Sequence, residues 1–177
     1  RQHVAIGAYN NDGGGFNAGH VRVYQYSGGS WSKLGGDIDG EASNDKLGYS
    51  VSIDSDGSHV AIGAYNNDGG GSNAGHVRIY SWDGSAWTQV GNDIDGEALG
   101  DNSGGSVSID SDGSHVAIGA YNNDGNGSNA GHVRIYEYSS GSWSQVGNDI
   151  DGEASDDQSG YSVSVSYTHL TLPTSPK

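Results

Sequence analysis

The chain has no cysteine, no methionine and only 2 prolines, and its 7 Lys and Arg are outnumbered by 22 Asp and Glu in 177 residues. Without cysteine, a disulfide scaffold and thiolate-bound zinc are excluded. The formal net charge of -15 opposes binding to nucleic acid, which depends on cationic contacts with phosphates. No run of about 18 apolar residues occurs, so the sequence predicts no membrane insertion. Cations and neutral ligands are better matched as partners.

Glycine is abundant, with 32 residues, and Ser, Asn and Asp are frequent, a mixture typical of turns and short strands. The string HVAIGAYNNDG begins at His3, His59 and His115, which gives a period of 56 residues. The motifs GHVR and DIDGEA and a tryptophan recur with the same period. Self-similarity of this length predicts a repeat architecture. A site used only once is improbable in such a chain.

Turn residues divide one repeat into four strand-like segments, at residues 48–54, 59–65, 75–82 and 86–91. The linkers Ser-Asp-Gly and Asp-Gly-Ser are short enough for tight hairpins, and no segment has a helical period. Four antiparallel strands in 56 residues predict one blade of a β-propeller. A flat β-sandwich and a β-solenoid are the alternatives, although solenoid coils usually repeat at shorter periods.

Side-chain alternation also favours a propeller. In the first two strands, Val and Ile alternate with Ser, Ala and Gly, so one face of the strands is very small and suits close approach near an axis. The later strands carry Tyr80, Trp82 and Trp87, which would fill the space where blades diverge. We therefore predict an all-β chain of four-stranded blades, with repeats at 3–58, 59–114 and 115–166.

Residues 48–52 (GYSVS), 54–57 (DSDG) and 62–65 (IGAY) resemble the FG-GAP repeat, and the resemblance extends from residue 3 to about residue 166. That family builds the seven-bladed propeller of integrin α-subunits and many bacterial surface proteins. The resemblance implies an extracellular or cell-surface protein that acts in ligand binding or adhesion. It also implies Ca²⁺ in the loop between the first and second strands.

The residues aligned with that calcium loop give the candidate metal ligands Asp54, Asp56, Asp110 and Asp112. The loop departs from the family pattern: it is one residue shorter, Ser52 replaces the first carboxylate, and His59 stands near the last. Ca²⁺ prefers six to eight oxygen ligands, more than these residues supply. The alternative is that Asp-Ser-Asp-Gly simply forms a hairpin turn.

A second candidate site lies in the long connections between strands two and three and between strand four and the next blade. These connections should emerge on one face and collect most of the acid there. In the alternative interpretation their Asp and Asn residues only cap turns. The candidate ligand-face residues are Asp12, Asp37, Asp39, Asp68, Asp93, Asp95, Glu97, Asp124, Asp149 and Asp151.

One histidine per repeat, at His20, His76 and His132, begins the third strand. A metal site needs converging partners, and the sequence places none beside these residues, so a polar strand end is the favoured interpretation. Asp56, Ser58 and His59 are adjacent in sequence, which is not the geometry of a catalytic triad. The sequence therefore predicts a protein that is not an enzyme.

The leading functional hypothesis is a binding or adhesion scaffold for a protein or glycan ligand. A structural surface array without a ligand, and part of a propeller enzyme whose active site lies in other blades, are the alternatives. The repeat pattern breaks after Val165, and VSYTHLTLPT is similar to a translated sequencing adapter, so residues 167–177 are expected to be a non-native or disordered tail. We expect a three-repeat open fragment of a larger propeller, without its true N-terminus, that can self-associate through exposed blade edges.

Overall fold

The computed structural model describes residues 2–166, and the predicted tail at 167–177 lies outside them. The described residues form fourteen β-strands and no helix, so this part of the chain has no apolar helix long enough to cross a membrane. The strands assemble into three separate antiparallel sheets. This confirms the predicted all-β fold of propeller blades.

The three sheets follow the sequence period, and we call them blades 1, 2 and 3. The first strand of blades 2 and 3 comes from the end of the preceding predicted repeat. Blade 1 contains β1 (Gln2–Ala8), β2 (His20–Ser27), β3 (Ser30–Lys33) and β4 (Ile38–Asp39). Blade 2 contains β5 (Ser50–Ile53), β6 (His59–Ala64), β7 (His76–Trp82), β8 (Trp87–Gln89) and β9 (Ile94–Asp95). Blade 3 contains β10 (Ser106–Ile109), β11 (His115–Ala120), β12 (His132–Ser139), β13 (Ser142–Gln145) and β14 (Ile150–Asp151).

The outer strand of each blade is interrupted. In blade 2, β8 pairs with the end of β7, where Trp87 lies opposite Trp82. The two-residue β9 pairs with the start of the same strand, where Asp95 lies opposite His76. The predicted fourth strand at 86–91 is therefore continued by a second short segment, which brings the DIDGEA motif to the beginning of the third strand.

The hydrophobic core lies between successive blades. One cluster joins blades 2 and 3 and includes Val77, Ile79, Ile94, Val107 and Ile118. A second joins blades 1 and 2 in the same way. Since each blade buries its apolar side chains against its neighbour rather than within itself, the stability of the array depends on contacts between repeats.

The small residues of the first two strands allow the blades to approach closely. The Ser50 Oγ donates a hydrogen bond to the Gly104 carbonyl of the next blade at 2.7 Å. The Ile109 backbone N–H donates to the Ser52 Oγ at 3.1 Å. The serines in GYSVS thus tie the innermost strands of neighbouring blades together, which explains why they alternate with Val and Ile.

Larger side chains fill the wider part of the gap, as predicted. The Trp87 Nε1–H donates to the Leu34 carbonyl at 2.9 Å, and the Trp143 Nε1–H donates to the Val90 carbonyl at 2.8 Å. Each bond runs from one blade to the blade before it. The indoles therefore combine apolar packing with one directional contact across the interface.

The two outer surfaces of the array are more open than the interior. Ile6 is 51% exposed, whereas its counterparts Ile62 and Ile118 are buried. Ile150 is 54% exposed, whereas its counterpart Ile94 is buried. Residues 161–165, which align with the first strand of the repeat, do not form a strand, although the Val165 N–H donates to the Ser108 Oγ at 3.0 Å.

Candidate functional site

The long connections of each blade pack against one another on one side of the array, which we call the loop face. In blade 2 they are residues 65–75 and 96–105. The Asn102 N–H donates to the Asn73 carbonyl at 3.1 Å, and the Ser103 N–H donates to the Ala74 carbonyl at 2.8 Å. Parallel bridges at Gly19–Leu47, Gly75–Ser103 and Gly131–Ser159 repeat this arrangement in all three blades. The loops form a regular surface.

Three of the predicted ligand-face carboxylates accept a backbone hydrogen bond within their own loop. The Asp68 Oδ1 accepts the Asn73 backbone N–H at 2.8 Å, and the same contact is made by Asp12 with Asn17 and by Asp124 with Asn129. All three aspartates are exposed. This turn chemistry matches the alternative interpretation for these residues.

Asp93 and Asp149 hold arginines at the blade interfaces. The Arg78 Nε–H and Nη2–H donate to the two Asp93 oxygens at 2.8 and 2.6 Å, and a second bond from Nη2 reaches Glu41 of the preceding connection at 2.5 Å. Arg134 pairs with Asp149 and Glu97 in the same way. The arginine lowers the pKa of Asp93 and, in blade 3, lowers the pKa of Asp149 to about 2.

Asp37 has a different set of partners. It accepts hydrogen bonds from Arg22 at 3.0 and 2.8 Å and from the Lys33 Nζ at 2.7 Å. The contact with Arg22 holds the pKa of Asp37 well below its usual range. Arg22 is more exposed than Arg78 and Arg134, which lie under a neighbouring connection.

The histidine that begins each third strand faces the outer-strand carboxylates. The His76 Nδ1 lies 3.8 Å from the Asp93 Oδ2 and 4.0 Å from the Asp95 Oδ1. Asp39 and Asp151 occupy the equivalent positions in blades 1 and 3. Burial, with a smaller contribution from Arg78, lowers the pKa of His76, so the imidazole is neutral at pH 7.

Two further carboxylates, absent from the predicted set, are buried beneath the loop face. The Asn67 Nδ2–H donates to the Asp45 Oδ2 at 2.8 Å, and the Asn123 Nδ2–H makes the same contact with Asp101. Burial raises the pKa of both carboxyls above the usual value. The recurrence of D-x₂-G at residues 45–48, 101–104 and 157–160 was the available signal.

Five tyrosines follow the inner edge of the loop face, because each one ends a second strand or precedes an innermost strand. The ring centroids of neighbouring tyrosines are 5.4, 4.2 and 5.3 Å apart in the pairs Tyr9–Tyr49, Tyr49–Tyr65 and Tyr121–Tyr161. Burial, with a further effect of the neighbouring tyrosines, raises the pKa of Tyr121 to about 12. We call this set the tyrosine row: Tyr9, Tyr49, Tyr65, Tyr121 and Tyr161.

The turns between the first and second strands lie at the other ends of these strands. The Asp54 Oδ1 accepts the Ser58 N–H at 2.9 Å, and its Oδ2 contacts the Ser58 Oγ at 3.0 Å and the His59 Nδ1 at 2.8 Å. Asp56 accepts the same Ser58 N–H. Asp110 and Asp112 repeat most of this pattern with Ser114 and His115, but the Asp110 Oδ1 accepts the His115 backbone N–H instead of the Ser114 N–H. The turn thus organises its own carboxylates, and Ca²⁺ binding there stays a prediction of the family resemblance.

We expect Asp54→Asn to lower the free energy of unfolding by about 1–3 kcal/mol, because it removes the charged acceptor from a buried pair with His59. Asp56→Asn, in the same turn, keeps an oxygen for the Ser58 N–H and is exposed, so it should change stability by less than about 0.5 kcal/mol. Urea denaturation followed by circular dichroism measures both. Equal losses in the two variants would show that the Asp54–His59 contact contributes nothing specific.

The stability difference between wild type and Asp54→Asn should depend on pH in a direction set by the pKa shifts of Asp54 and His59. Burial raises the pKa of Asp54, but hydrogen bonds from His59 and Ser58 outweigh it, so the net pKa is lowered and the stabilisation is lost as pH falls below about 4. The hydrogen bond to Asp54 raises the pKa of His59, so that contribution is lost as pH rises above about 6.5. The difference between wild type and Asp54→Asn should therefore be largest between these two values.

The family comparison agrees with the geometry. Residues 38–80, which extend from β4 to the middle of β7, match the model of the FG-GAP repeat, and this confirms the predicted resemblance. A comparison with curated proteins found no match. An X-ray structure of a hypothetical selenium-binding protein from Sulfolobus tokodaii aligns with 76% of this chain at 12% sequence identity and a TM-score of 0.49. The aligned part covers 35% of that protein, so this chain spans about a third of its length.

Proposed function

We propose that this chain, with an FG-GAP repeat at residues 38–80, is a binding scaffold outside the cell or on its surface, and that it holds its ligand against the tyrosine row. The observation that carries the proposal is that five tyrosine rings lie along one edge of the loop face, as a contacting group of three (Tyr9, Tyr49 and Tyr65) and a contacting pair (Tyr121 and Tyr161). Three of them, Tyr9, Tyr49 and Tyr161, are 40–63% exposed. The proposed role is binding rather than catalysis.

The support lies in the contrast between a rigid framework and an exposed aromatic surface. Hydrogen bonds between blades fix the strands from which the tyrosines project, so little conformational entropy is lost when a ligand binds. Exposed apolar groups that are contiguous, unlike scattered ones, mark interaction surfaces. Tyrosine also has a hydroxyl that can donate or accept a hydrogen bond at the edge of such a surface.

The chemistry around the row favours a neutral glycan as the ligand. Asn10, Asn66 and Asn122 each follow a tyrosine of the row directly, and their amides both donate and accept hydrogen bonds, as sugar hydroxyls do. The apolar C–H face of a pyranose ring packs on an aromatic ring. The net charge of -15 opposes anionic ligands such as nucleic acids. A protein ligand is the alternative that the experiment separates from a glycan.

We expect Tyr49→Ala to weaken glycan binding about tenfold or more, the equivalent of roughly 1.4 kcal/mol, because it removes the ring that contacts both Tyr9 and Tyr65. A glycan microarray identifies the bound sugar, and titration calorimetry with that sugar measures the loss. Tyr26→Ala is the matched control: Tyr26 is also exposed but lies on β2, outside the row, and stacks on Trp31. Equal effects of the two variants, or no bound glycan on the array, would contradict the proposal.

A structural array without a ligand is the second candidate function. It is supported by the number of loop-face carboxylates that already accept bonds within the array, including Asp68 in its loop and Asp93 with Arg78. This alternative gains support if Asp68→Ala, Asp93→Ala and Tyr49→Ala all leave every binding assay unchanged. Self-association through the open blade surfaces near Ile6 and Ile150 fits either function.

A further inference from the structure

The buried histidine of the third strand has an unsatisfied nitrogen. The His76 side chain is 1% exposed, and its Nδ1 has no hydrogen-bond partner among the described residues. Buried polar atoms are nearly always paired in folded proteins. The nitrogen faces two carboxylate oxygens, one each from Asp93 and Asp95, but at 3.8 and 4.0 Å they are beyond the 2.7–3.2 Å of an N–H···O hydrogen bond. The space between these three atoms is suited to a further group that contacts all of them.

The arrangement recurs in the other two blades. The His132 Nδ1 is also buried without a partner and lies 3.8 Å from the Asp149 Oδ2. The His20 Nδ1 lies 3.9 Å from both the Asp37 Oδ2 and the Asp39 Oδ1. The distance of 3.8–3.9 Å from the histidine to the first carboxylate recurs in all three copies. Asp151 lies opposite His132 in the strand register as Asp95 lies opposite His76, so the gap is a property of the repeat rather than of one side chain.

The separation fits a metal ion. Zn²⁺ binds imidazole nitrogen and carboxylate oxygen at about 2.0–2.2 Å, so the ligand atoms of a tetrahedral site lie about 3.3–3.6 Å apart. The separations of 3.8 and 4.0 Å at His76 need to shorten by only about 0.2–0.7 Å to reach that geometry. Imidazole together with carboxylates suits a transition metal, whereas Ca²⁺ prefers oxygen ligands alone. We propose that the cluster His76–Asp93–Asp95 and its counterpart His132–Asp149–Asp151 each bind one Zn²⁺ ion, with a coordination position open to solvent.

The surrounding charges support a divalent ion. Around His76 there are three carboxylates, from Glu41, Asp93 and Asp95, the buried carboxyl of Asp45 and one guanidinium, from Arg78. At least two negative charges are therefore left to be balanced. Each carboxylate oxygen has two lone pairs, so the Asp93 Oδ2 can accept the Arg78 Nη2–H and still bind a metal. The arginine then fixes the carboxylate in place, as outer partners of metal ligands commonly do.

The ion has a path to the site. Asp93 and Asp95 line a cleft of about 270 Å³ between blades 2 and 3, together with Tyr136 and Trp143 of the following blade. The Asp95 side chain is 48% exposed at this opening, so a change of its rotamer can shorten the 4.0 Å distance between its Oδ1 and the His76 Nδ1. A buried nitrogen behind an open pair of carboxylates is therefore accessible from solvent.

Blade 1 provides an internal contrast. Its cluster of His20, Asp37 and Asp39 is surrounded by both Arg22 and Lys33, so the two carboxylate charges are already balanced. Gln89 and Gln145 stand where blade 1 has Lys33, and they contact the equivalent carboxylates without adding charge. We therefore expect two tight sites in the chain, in blades 2 and 3, and a third that is at least tenfold weaker.

Titration calorimetry of ZnCl₂ into the chelator-treated full chain tests this. The expected result is two tight sites, a raised melting temperature with Zn²⁺, and no displacement of Zn²⁺ by excess Ca²⁺. Asp95→Asn should reduce the tight sites to one, and the double variant Asp95→Asn/Asp151→Asn should remove both. These aspartates are exposed, so circular dichroism should show that both variants keep the wild-type fold.

The control addresses the other carboxylate and histidine cluster, at Asp110, Asp112 and His115 in the turn of blade 3. The double variant Asp56→Asn/Asp112→Asn should leave both tight sites in place. Absence of saturable Zn²⁺ binding would mean that a water molecule alone fills the gap, and it would overturn the proposal. Tight binding that survives Asp95→Asn/Asp151→Asn, or that is lost in the turn variant, would overturn it equally.

Discussion

Gly63→Ala should destabilise the chain by about 3 kcal/mol or more, which lowers the melting temperature by about 6–12 °C. Gly63 lies in β6, where the strand approaches the first strand of the next blade. A Cβ added there would overlap the Gly104 carbonyl oxygen and the Ser50 Oγ. Because the carbonyl belongs to the backbone, the overlap cannot be relieved by a change of rotamer, and the blades must separate.

The same destabilisation is expected for Gly119→Ala and Gly7→Ala. A Cβ at Gly119 would overlap the Gly160 carbonyl oxygen, and one at Gly7 would overlap the Gly48 carbonyl oxygen. Gly36→Ala is the matched control, because Gly36 is exposed, has no atom within 4 Å of the added Cβ and does not have a positive φ. Thermal melts followed by circular dichroism compare the two. If Gly63→Ala melts within about 2 °C of Gly36→Ala, the close approach of the blades is not required for stability.

The sequence predicts that the strand at Gly63 has a small surface suited to close approach. The period of 56 residues predicts equivalent blades, and the alternation of Val60 and Ile62 with Ala61 and Gly63 predicts a small surface on one side of the strand. Both inferences rely on local spacing alone. The structure adds the partner of that small surface, the backbone at Gly104, which leads into the first strand of the following blade.

Contacts between repeats were less predictable because they join residues that are far apart in sequence. Arg78 reaches Glu41 across 37 positions, and no local pattern distinguishes that glutamate from other loop acids. The continuation of the outer strand at β9 was missed because two residues are too short for a detectable alternation. The ion pair and β9 together position Asp93 and Asp95 for the proposed zinc site, so the sequence could not place converging partners beside His76.

The tyrosine row was missed for a different reason. Tyr49 and Tyr65 belong to the short motifs that carry the family resemblance, and the aromatic residues expected to matter were those that fill the outer gap between blades. The predicted hairpin between residues 48–54 and 59–65 already brings Tyr49 near Tyr65, and the pairing of β5 with β6 sets their ring centroids 4.2 Å apart. The sequence could not show that Tyr9 of blade 1 lies beside Tyr49, because that contact joins two blades. Only the packing of the blades reveals an aromatic edge that extends beyond one of them.

The outer gap itself leads to the second large effect. Trp87 packs against the cluster that joins blades 1 and 2, and its Nε1–H donates to the Leu34 carbonyl. Trp87→Ala should lower the free energy of unfolding by about 3 kcal/mol, since it leaves a cavity and an unpaired carbonyl at the interface. Trp143→Ala should have a similar effect between blades 2 and 3, where the indole donates to the Val90 carbonyl.

Trp31 occupies the equivalent position in blade 1 and gives this experiment its control. It is 49% exposed and contacts Tyr26 of its own blade rather than a preceding blade, so Trp31→Ala should cost less than about 1 kcal/mol. Urea denaturation of the three variants compares one side chain, at one position of the repeat, with and without a neighbouring blade. Equal losses at Trp31 and Trp87 would mean that the indoles stabilise each blade from within. A loss confined to Trp87 and Trp143 would measure the coupling that makes the repeats cooperate.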